Sequence, residues 1–160
     1  MPFAVVLDAS VLYPLPVMRN LEGNRGATAE QTRHLRDAMT AAFDGAEVSE
    51  AAIDRLEPAM TNDPKDRHVL AAAVASEAQA IVTLNLNDFP SDACEPFAIE
   101  SLHPDVFLLQ VYQLDEQNVC EAVERQAAAL LDPRMTVDEL FDRLALTVPS
   151  FVEAIRAHTG

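Results

Sequence analysis

Short apolar runs alternate with amphipathic stretches along the first hundred residues of the chain. Continuous apolar runs suit strands that are buried on both faces of a sheet, and they occur at residues 3–7 and 80–84. Two shorter candidate strands lie at residues 46–49 and 97–100. Apolar residues at helical spacing predict helices at residues 28–43, 49–60 and 63–78. This alternation predicts an α/β fold with a central parallel sheet.

Beyond His103 the pattern predicts helices only. Helical periodicity covers residues 105–113, 115–131 and 149–158, and a capping box at Thr136 and Glu139 opens a further helix. We therefore expect two parts, a sheet-containing domain at residues 1–102 and a helical extension at residues 103–160.

The segment around Asp63 carries a clear helix-start signal. Asp63 is a good N-cap residue, Pro64 suits the first helical position, and Asp66 would lie in the first turn. Helical spacing relates Asp66 to Val69 and Leu70, which places its carboxylate at the head of an apolar stripe. Residues 85–90 are expected to form a loop after the second buried strand.

The composition fits one globular domain with a short appendage. The chain has 160 residues, 49% of them hydrophobic, and no apolar stretch approaches the ~18 residues of a membrane-spanning helix. The first apolar run ends at Asp8, and no basic residue precedes it. We therefore expect no signal peptide and a cytoplasmic protein. Cys94 and Cys120 are expected to be reduced thiols.

The charge balance narrows the ways in which the protein could bind a polyanion. Aspartate and glutamate number 26 against 11 lysines and arginines, which gives a formal net charge of −15 spread over both parts of the chain. Such a balance excludes nucleic-acid binding by bulk electrostatics. Action on RNA would require divalent cations and a local basic patch.

Three aspartates stand where strands end or helices begin. Asp8 follows the first buried strand, Asp88 lies in the loop after the second, and Asp66 opens the helix between them. Ligands of open parallel sheets bind beyond the carboxyl ends of the strands, so these carboxylates are expected to converge. An isolated buried charge is costly, and Mg²⁺ or Mn²⁺ would neutralise several carboxylates together. The sequence therefore predicts a divalent-metal site at Asp8, Asp66 and Asp88.

Each aspartate also has a structural interpretation. Asp63 fits a simple helix cap, Asp66 a favourable partner of the helix dipole, and Asp8 and Asp88 ordinary turn residues. The sequence contains no nucleophile elbow, no glycine-rich phosphate loop and no Cys-x-x-Cys pair.

Three ordered motifs resemble those of PIN-domain ribonucleases. They read VVLDASVLYP at residues 5–14, DPKDRHVLAAA at 63–73 and IVTLNLNDF at 81–89. Together with the helices that follow His103, they are similar to VapC-type toxins of bacterial toxin–antitoxin pairs that carry a C-terminal helical extension.

The resemblance implies a three-layer α/β/α domain with a central parallel sheet that cleaves RNA with Mg²⁺ or Mn²⁺. Asp8 matches the family's first metal-binding acid, Asp66 the acid opening the helix before the fourth strand, and Asp88 the acid after that strand. Ser10 and Asn85 match polar positions beside the first acid and before the last. All three aspartates would serve as catalytic metal ligands.

The resemblance also implies partners. A small cognate antitoxin would block the acidic pocket. The protein would form a homodimer or a toxin–antitoxin hetero-oligomer and would not bind a membrane. Relatives carry a further segment between the positions of Val17 and Met18 that supplies a second acid, a glutamate. This sequence lacks that segment, and neither Glu22 nor Glu30 stands in the matching context.

Two other functions remain open from the sequence. The chain could be a catalytically degenerate PIN-like module that binds antitoxin or RNA without cleaving it. A phosphatase or receiver domain fits less well, because the single lysine, Lys65, precedes the second strand instead of following a late one.

Basic and aromatic side chains near the motifs are candidates for RNA contact. The substrate-binding candidates are Ser10, Asn85, Tyr13 and Arg67. Phe89 could stack on a base, although a core role fits it better. The other candidate bases are Arg19, Arg25, Arg33 and Arg36.

Overall fold

The computed structural model describes residues 4–8, 47–130 and 134–159. It divides into two compact units, residues 1–101 and residues 102–160. The helix expected at residues 28–43 and the site candidates Ser10 and Tyr13 lie outside the described residues. So does the position between Val17 and Met18.

A three-stranded sheet organises the described part of the first unit. Its strands are β1 (Val5–Leu7), β2 (Ala80–Val82) and β3 (Glu100–Leu102), in the spatial order β1-β2-β3. β1 and β2 are parallel, with Val6 opposite Ile81 in the register. The predicted α/β class with a parallel sheet is therefore confirmed for these two strands.

The strands differ in burial and extent from the sequence prediction. All three residues of β2 are at most 1% exposed, as expected for a strand covered on both faces. Leu7 in β1 is 37% exposed, so the prediction that β1 is buried on both faces was wrong. β1 lies at the edge of the described sheet. Residues 47–49 are not a strand, because the Ser49 carbonyl instead accepts the first hydrogen bonds of a helix.

The third strand begins three residues later than predicted. The preceding residues form helix α3 (Ser91–Cys94) and a 3-10 turn (Glu95–Phe97), neither of which has helical periodicity long enough to predict. Ala98 then adopts φ 55°, a left-handed conformation that ends the turn and directs the chain into β3.

One helix of the first unit packs on the sheet, and a second helix packs against the first. Helix α1 (Glu50–Leu56) continues into a 3-10 turn (Glu57–Ala59), and helix α2 is Arg67–Ala75. Ser49 precedes α1 as predicted, but its side chain makes no capping hydrogen bond. Met60, only 2% exposed, lies in a core with the apolar residues of α2 and β2.

Helix α2 begins later than its start signal indicated. The Asp63 carboxylate accepts a hydrogen bond from the Lys65 backbone N–H at 3.0 Å, and its carbonyl accepts one from Asp66 N–H at 2.9 Å. These bonds form a turn over residues 64–66, so Asp63 is not the N-cap and Pro64 is not the first helical residue. Asp66 holds the N-cap position instead.

The end of α2 fixes the approach to β2. Ala78 N–H donates to the Ala73 carbonyl at 2.9 Å and Glu77 N–H donates to the Val74 carbonyl at 3.2 Å, the paired bonds of a Schellman motif. Glu77 adopts the left-handed conformation that this motif requires, with φ 53°. Ala78 is buried beneath the turn, and β2 starts two residues later.

The second unit is helical, as the sequence predicted. Its helices are α4 (Pro104–Leu114), α5 (Glu116–Ala129), α6 (Val137–Leu144) and α7 (Pro149–Thr159). The capping box is present, with reciprocal hydrogen bonds between Thr136 and Glu139. No helix in the described residues is both long and apolar enough to cross a membrane.

Aromatic and aliphatic side chains from all four helices form the core of the second unit. Ile155 of α7 is fully buried, and Tyr112 of α4 meets Phe151 of α7 edge to face, with 6.4 Å between ring centroids. Val123 of α5 and Phe141 of α6 complete this cluster. Cys120 lies beside it as a free thiol, and Cys94 in the first unit is also free, which confirms that no disulfide links them.

Asp105 of α4 caps a different helix. Its two carboxylate oxygens accept hydrogen bonds from the backbone N–H groups of Ser150, at 3.1 Å, and Phe151, at 2.9 Å, in the first turn of α7. Burial opposes ionisation of this carboxyl, but the bonds from Phe151 and Ser150 outweigh it and lower its pKa. The capping contact thus favours the ionised form.

Replacing Asp105 should destabilise the helical unit. We expect Asp105→Ala to lower the free energy of unfolding by about 1–2 kcal/mol at pH 7, because two helix-end donors lose their partner. Folding lowers the pKa of the Asp105 carboxyl. The stabilisation by ionised Asp105 is therefore present above the ordinary pKa of 3.8 and is lost as the pH falls through the folded-state pKa. Urea unfolding at pH 7 and pH 3 checks this; an equal difference at both pH values would contradict it.

Candidate functional site

Asp8 is fixed at the carboxyl end of β1. Its backbone N–H donates to the Val82 carbonyl at 3.0 Å, which extends the parallel pairing with β2 by one residue. Its carboxylate Oδ2 accepts a hydrogen bond from the Thr83 hydroxyl at 2.9 Å. Asp8 is 7% exposed and Thr83 is fully buried, so the fold holds a carboxylate in a defined orientation at the sheet edge.

Thr83 joins this carboxylate to the loop that follows β2. Its hydroxyl donates to Asp8 and accepts a hydrogen bond from the Asn85 backbone N–H at 3.0 Å. One buried side chain therefore sets both the first acid and the start of the loop that carries Asp88. Sequence reasoning missed Thr83, although a polar residue ending a buried strand was a usable signal.

Asp66 lies at the N-terminus of α2 but does not cap it. Its backbone carbonyl accepts the first hydrogen bond of the helix, from Val69 N–H at 3.0 Å, while its side chain makes no capping bond. Sequence analysis placed it within the first helical turn on a buried stripe; the structure places it, partly buried, just before the helix.

The electrostatics of Asp66 show what surrounds it. Burial raises the pKa of the Asp66 carboxyl, and the negative charges of Asp8, Asp88 and Asp63 raise it further, whereas His68 lowers it. A carboxylate that merely complemented the helix dipole would have a lowered pKa. The burial and the neighbouring carboxylates of Asp66 oppose its ionisation instead.

Asp88 and Asp63 reach the same region from adjoining segments. Asp88 ends a 3-10 turn (Leu86–Asp88) and is partly buried, as is Asp63. The Asp63 backbone N–H donates to the Asp88 carbonyl at 3.3 Å, which ties the loop before α2 to the loop after β2. Two acids from distant segments, Asp8 and Asp88, and the neighbouring Asp63 thus lie close enough for their charges to interact with Asp66.

The donor set suits a hard divalent cation. Carboxylate oxygens are the ligands that Mg²⁺ and Mn²⁺ prefer, and an ion would relieve the repulsion that raises the pKa of Asp66. Within residues 4–8, 47–130 and 134–159, no three acidic, histidine or cysteine side chains converge closely enough to enclose an ion by themselves. Mg²⁺ commonly binds through one or two carboxylates with waters and substrate phosphate, so the acids still fit such an ion.

Asn62 is a second residue that the sequence did not reveal. It is 3% exposed, and neither polar atom of its side-chain amide has a hydrogen-bond partner in the described structure. Leaving a buried amide unpaired costs about 1–3 kcal/mol. Its backbone carbonyl accepts a bond from Arg67 Nε at 3.3 Å.

The other described residues that were predicted to contact RNA lie in separate places. Asn85 is exposed and lines a pocket of about 250 Å³ together with Asp88. Arg67 lines another, open cleft of about 440 Å³. Phe89 is 1% exposed, so it belongs to the core and cannot stack on a base. The other residues of the 440 Å³ cleft are Asp54, Glu57, Pro58 and Pro64.

Residues 104–157, which form the helices of the second unit, match the family model described as the VapC50 C-terminal domain. The resemblance to a VapC-type toxin with a C-terminal extension is thereby confirmed.

A particular relative supports the same class. The chain is 46% identical over 98 residues to the protein named "Putative ribonuclease VapC50" of Mycobacterium tuberculosis (strain ATCC 25618 / H37Rv). The match covers 61% of this chain and 58% of the relative. No solved structure matches the chain.

Proposed function

We propose that the protein is a metal-dependent endoribonuclease toxin that cleaves RNA phosphodiester bonds and is inhibited by a cognate antitoxin. The observation that carries the proposal is the meeting of acids at the carboxyl ends of β1 and β2: Thr83 fixes Asp8 there, and Asp8 and Asp88 lie close enough to Asp66 for their charges to act on it. A fold that holds acids together against their repulsion pays a stability cost, and a divalent cation accounts for it. Similarity to a relative named as a ribonuclease supports the reaction class.

Asp8, Asp66 and Asp88 are the residues that would hold Mg²⁺ or Mn²⁺. When bound, such an ion activates a water for attack on the phosphodiester and stabilises the negative charge that develops at phosphorus. The Thr83 hydroxyl keeps one oxygen of Asp8 in a fixed position, so this carboxylate needs little reorganisation on binding. Asp66 supplies a carboxylate whose repulsion by its acidic neighbours a cation would relieve.

The same site accounts for RNA binding by an acidic protein. A net charge of −15 repels a polyanion, and cations at the aspartates would reverse the sign of the potential locally. Arg67, anchored to the Asn62 carbonyl in the segment before α2, is a candidate for contact with the RNA backbone.

An antitoxin would inhibit by covering these acids. A basic segment would complement them in charge and exclude both cation and RNA. The antitoxin-bound toxin would then be part of a hetero-oligomer, whereas the free toxin would be a homodimer. A cytoplasmic location belongs to the same proposal, since RNA and the antitoxin would both be met there.

Incubation with a mixed RNA pool tests the proposed function. We expect cleavage in Mn²⁺ or Mg²⁺ and none in EDTA, with activity restored when metal is added back. A heat-denatured sample controls for contaminating metal ions. Metal-independent cleavage would contradict the proposed mechanism. Binding of RNA or of a purified antitoxin without any cleavage would favour the degenerate binding module.

A further inference from the structure

A small pocket opens at the carboxyl end of β2, beside the acidic site. It has a volume of about 250 Å³ and is lined by five consecutive residues, from Leu84 to Asp88. This is below the ~300–1,000 Å³ typical of sites for drug-sized ligands, so it suits a single flat ring system. Asp88 lines the pocket and its charge also acts on Asp66, so the pocket adjoins the acids at this one residue.

The loop around this pocket is held by its own backbone. Asn85 N–H donates to the Thr83 hydroxyl at 3.0 Å, and Asp88 N–H donates to the Asn85 carbonyl at 3.0 Å. Phe89 N–H donates to the Leu86 carbonyl at 3.1 Å, and the Phe89 ring is buried in the core. The pocket is therefore pre-organised, which reduces the entropy lost on binding a ligand.

Three side chains of the loop face solvent. The amides of Asn85 and Asn87 are exposed and make no side-chain hydrogen bond to the described residues. Leu86 between them is 39% exposed, one of few large apolar side chains left open. An amide presents a donor and an acceptor side by side, the pattern that matches the edge of a nucleobase.

The charge of the pocket excludes a phosphate as its occupant. None of the five lining residues is basic, and Asp88 contributes a carboxylate, so a phosphate would be repelled. A neutral base can hydrogen-bond to the two amides and place its face against Leu86. Single-stranded RNA is read in this way, through the edges of unstacked bases.

We propose that Asn87 and Leu86, with Asn85, form a subsite that reads one nucleobase beside the scissile phosphodiester. The subsite rests on the proposed ribonuclease function and adds its sequence preference. Asn87 is the specificity residue, because it lines the pocket without belonging to the metal-binding acids. Leu86 supplies contact area that does not depend on which base is bound.

Sequencing the ends of cleaved RNA from a mixed pool tests the subsite. We expect the unaltered protein to favour one base beside the cut, and Asn87→Ala to reduce that preference by about fivefold or more while still cleaving in Mn²⁺. Gln117→Ala, which removes an exposed amide from α5, should leave the preference unchanged. An unchanged preference in Asn87→Ala, or none in the unaltered protein, overturns the proposal.

A binding measurement separates failure of the subsite from failure of the nuclease. Four nuclease-resistant pentanucleotides, of A, C, G and U, are titrated with Mn²⁺ present. We expect Asn87→Ala to reduce the differences in Kd among them, and Leu86→Ala to weaken all four alike. If the protein cleaves no RNA but discriminates these probes through Asn87, only the nuclease proposal fails. Equal affinities for all four would remove the subsite.

Discussion

Asp8→Asn should reduce metal-dependent RNA cleavage by about 100-fold or more. Its carboxylate lies at the end of β1 among the acids that act on Asp66, and loss of its charge would weaken the hold on a cation. Asparagine is the chosen replacement because its amide oxygen can still accept the hydrogen bond from the Thr83 hydroxyl. The buried hydroxyl therefore keeps a partner, and the fold is expected to persist.

Initial cleavage rates over a range of Mn²⁺ concentrations measure the effect. Asp92→Asn is the matched control, since Asp92 is an exposed acid in the first turn of α3. It makes the same change in net charge elsewhere on the unit and should retain activity. If Asp8→Asn cleaved RNA as fast as the control at limiting Mn²⁺, Asp8 would not be a metal ligand.

Asp66→Asn should change activity and stability in opposite directions. We expect cleavage to fall by at least about tenfold, because the site loses one of its proposed cation ligands. We expect the Tm at pH 7 without metal to rise, by about 2–4 °C for each kcal/mol gained in a chain of this size. The gain arises because burial and the charges of Asp8, Asp88 and Asp63 disfavour the ionised carboxylate.

The pH dependence identifies the source of that gain. Since the folded-state pKa of Asp66 is raised, the native protein binds more protons than the unfolded chain between the ordinary value of 3.8 and the raised value. The destabilisation by Asp66 is therefore absent below about pH 3.8, develops as the pH rises and is complete above the raised pKa. The difference in Tm between Asp66→Asn and the unaltered protein should follow this course.

Added metal provides the opposite check. Excess Mn²⁺ should raise the Tm of the unaltered protein and raise that of Asp66→Asn less, because only the former retains the full set of acids. A lower Tm for Asp66→Asn at pH 7 in EDTA would show that the carboxylate is a stabilising structural group, and would argue against an ion at this position.

Local signals in the sequence succeeded where the interactions that decide an element are themselves local. The capping box at Thr136 and Glu139 starts α6 because both bonds form within four residues. The apolar run at residues 80–82 becomes the buried strand β2 because consecutive apolar side chains suit both covered faces of a sheet. Local signals can also compete with one another: at Asp63 a side-chain bond to Lys65 N–H forms a turn, which delays the start of α2.

The sequence by itself determined the α/β character of the first unit, the helices of the second and the acids worth testing. Hydrophobic periodicity and capping residues carry that information, since they act over one or two turns of chain. Only the tertiary structure decided that Thr83 holds Asp8, that Asp8 and Asp88 act on Asp66, and that Asp105 caps α7. These contacts join residues far apart in the chain, and their energies depend on burial and distance, which only folding creates.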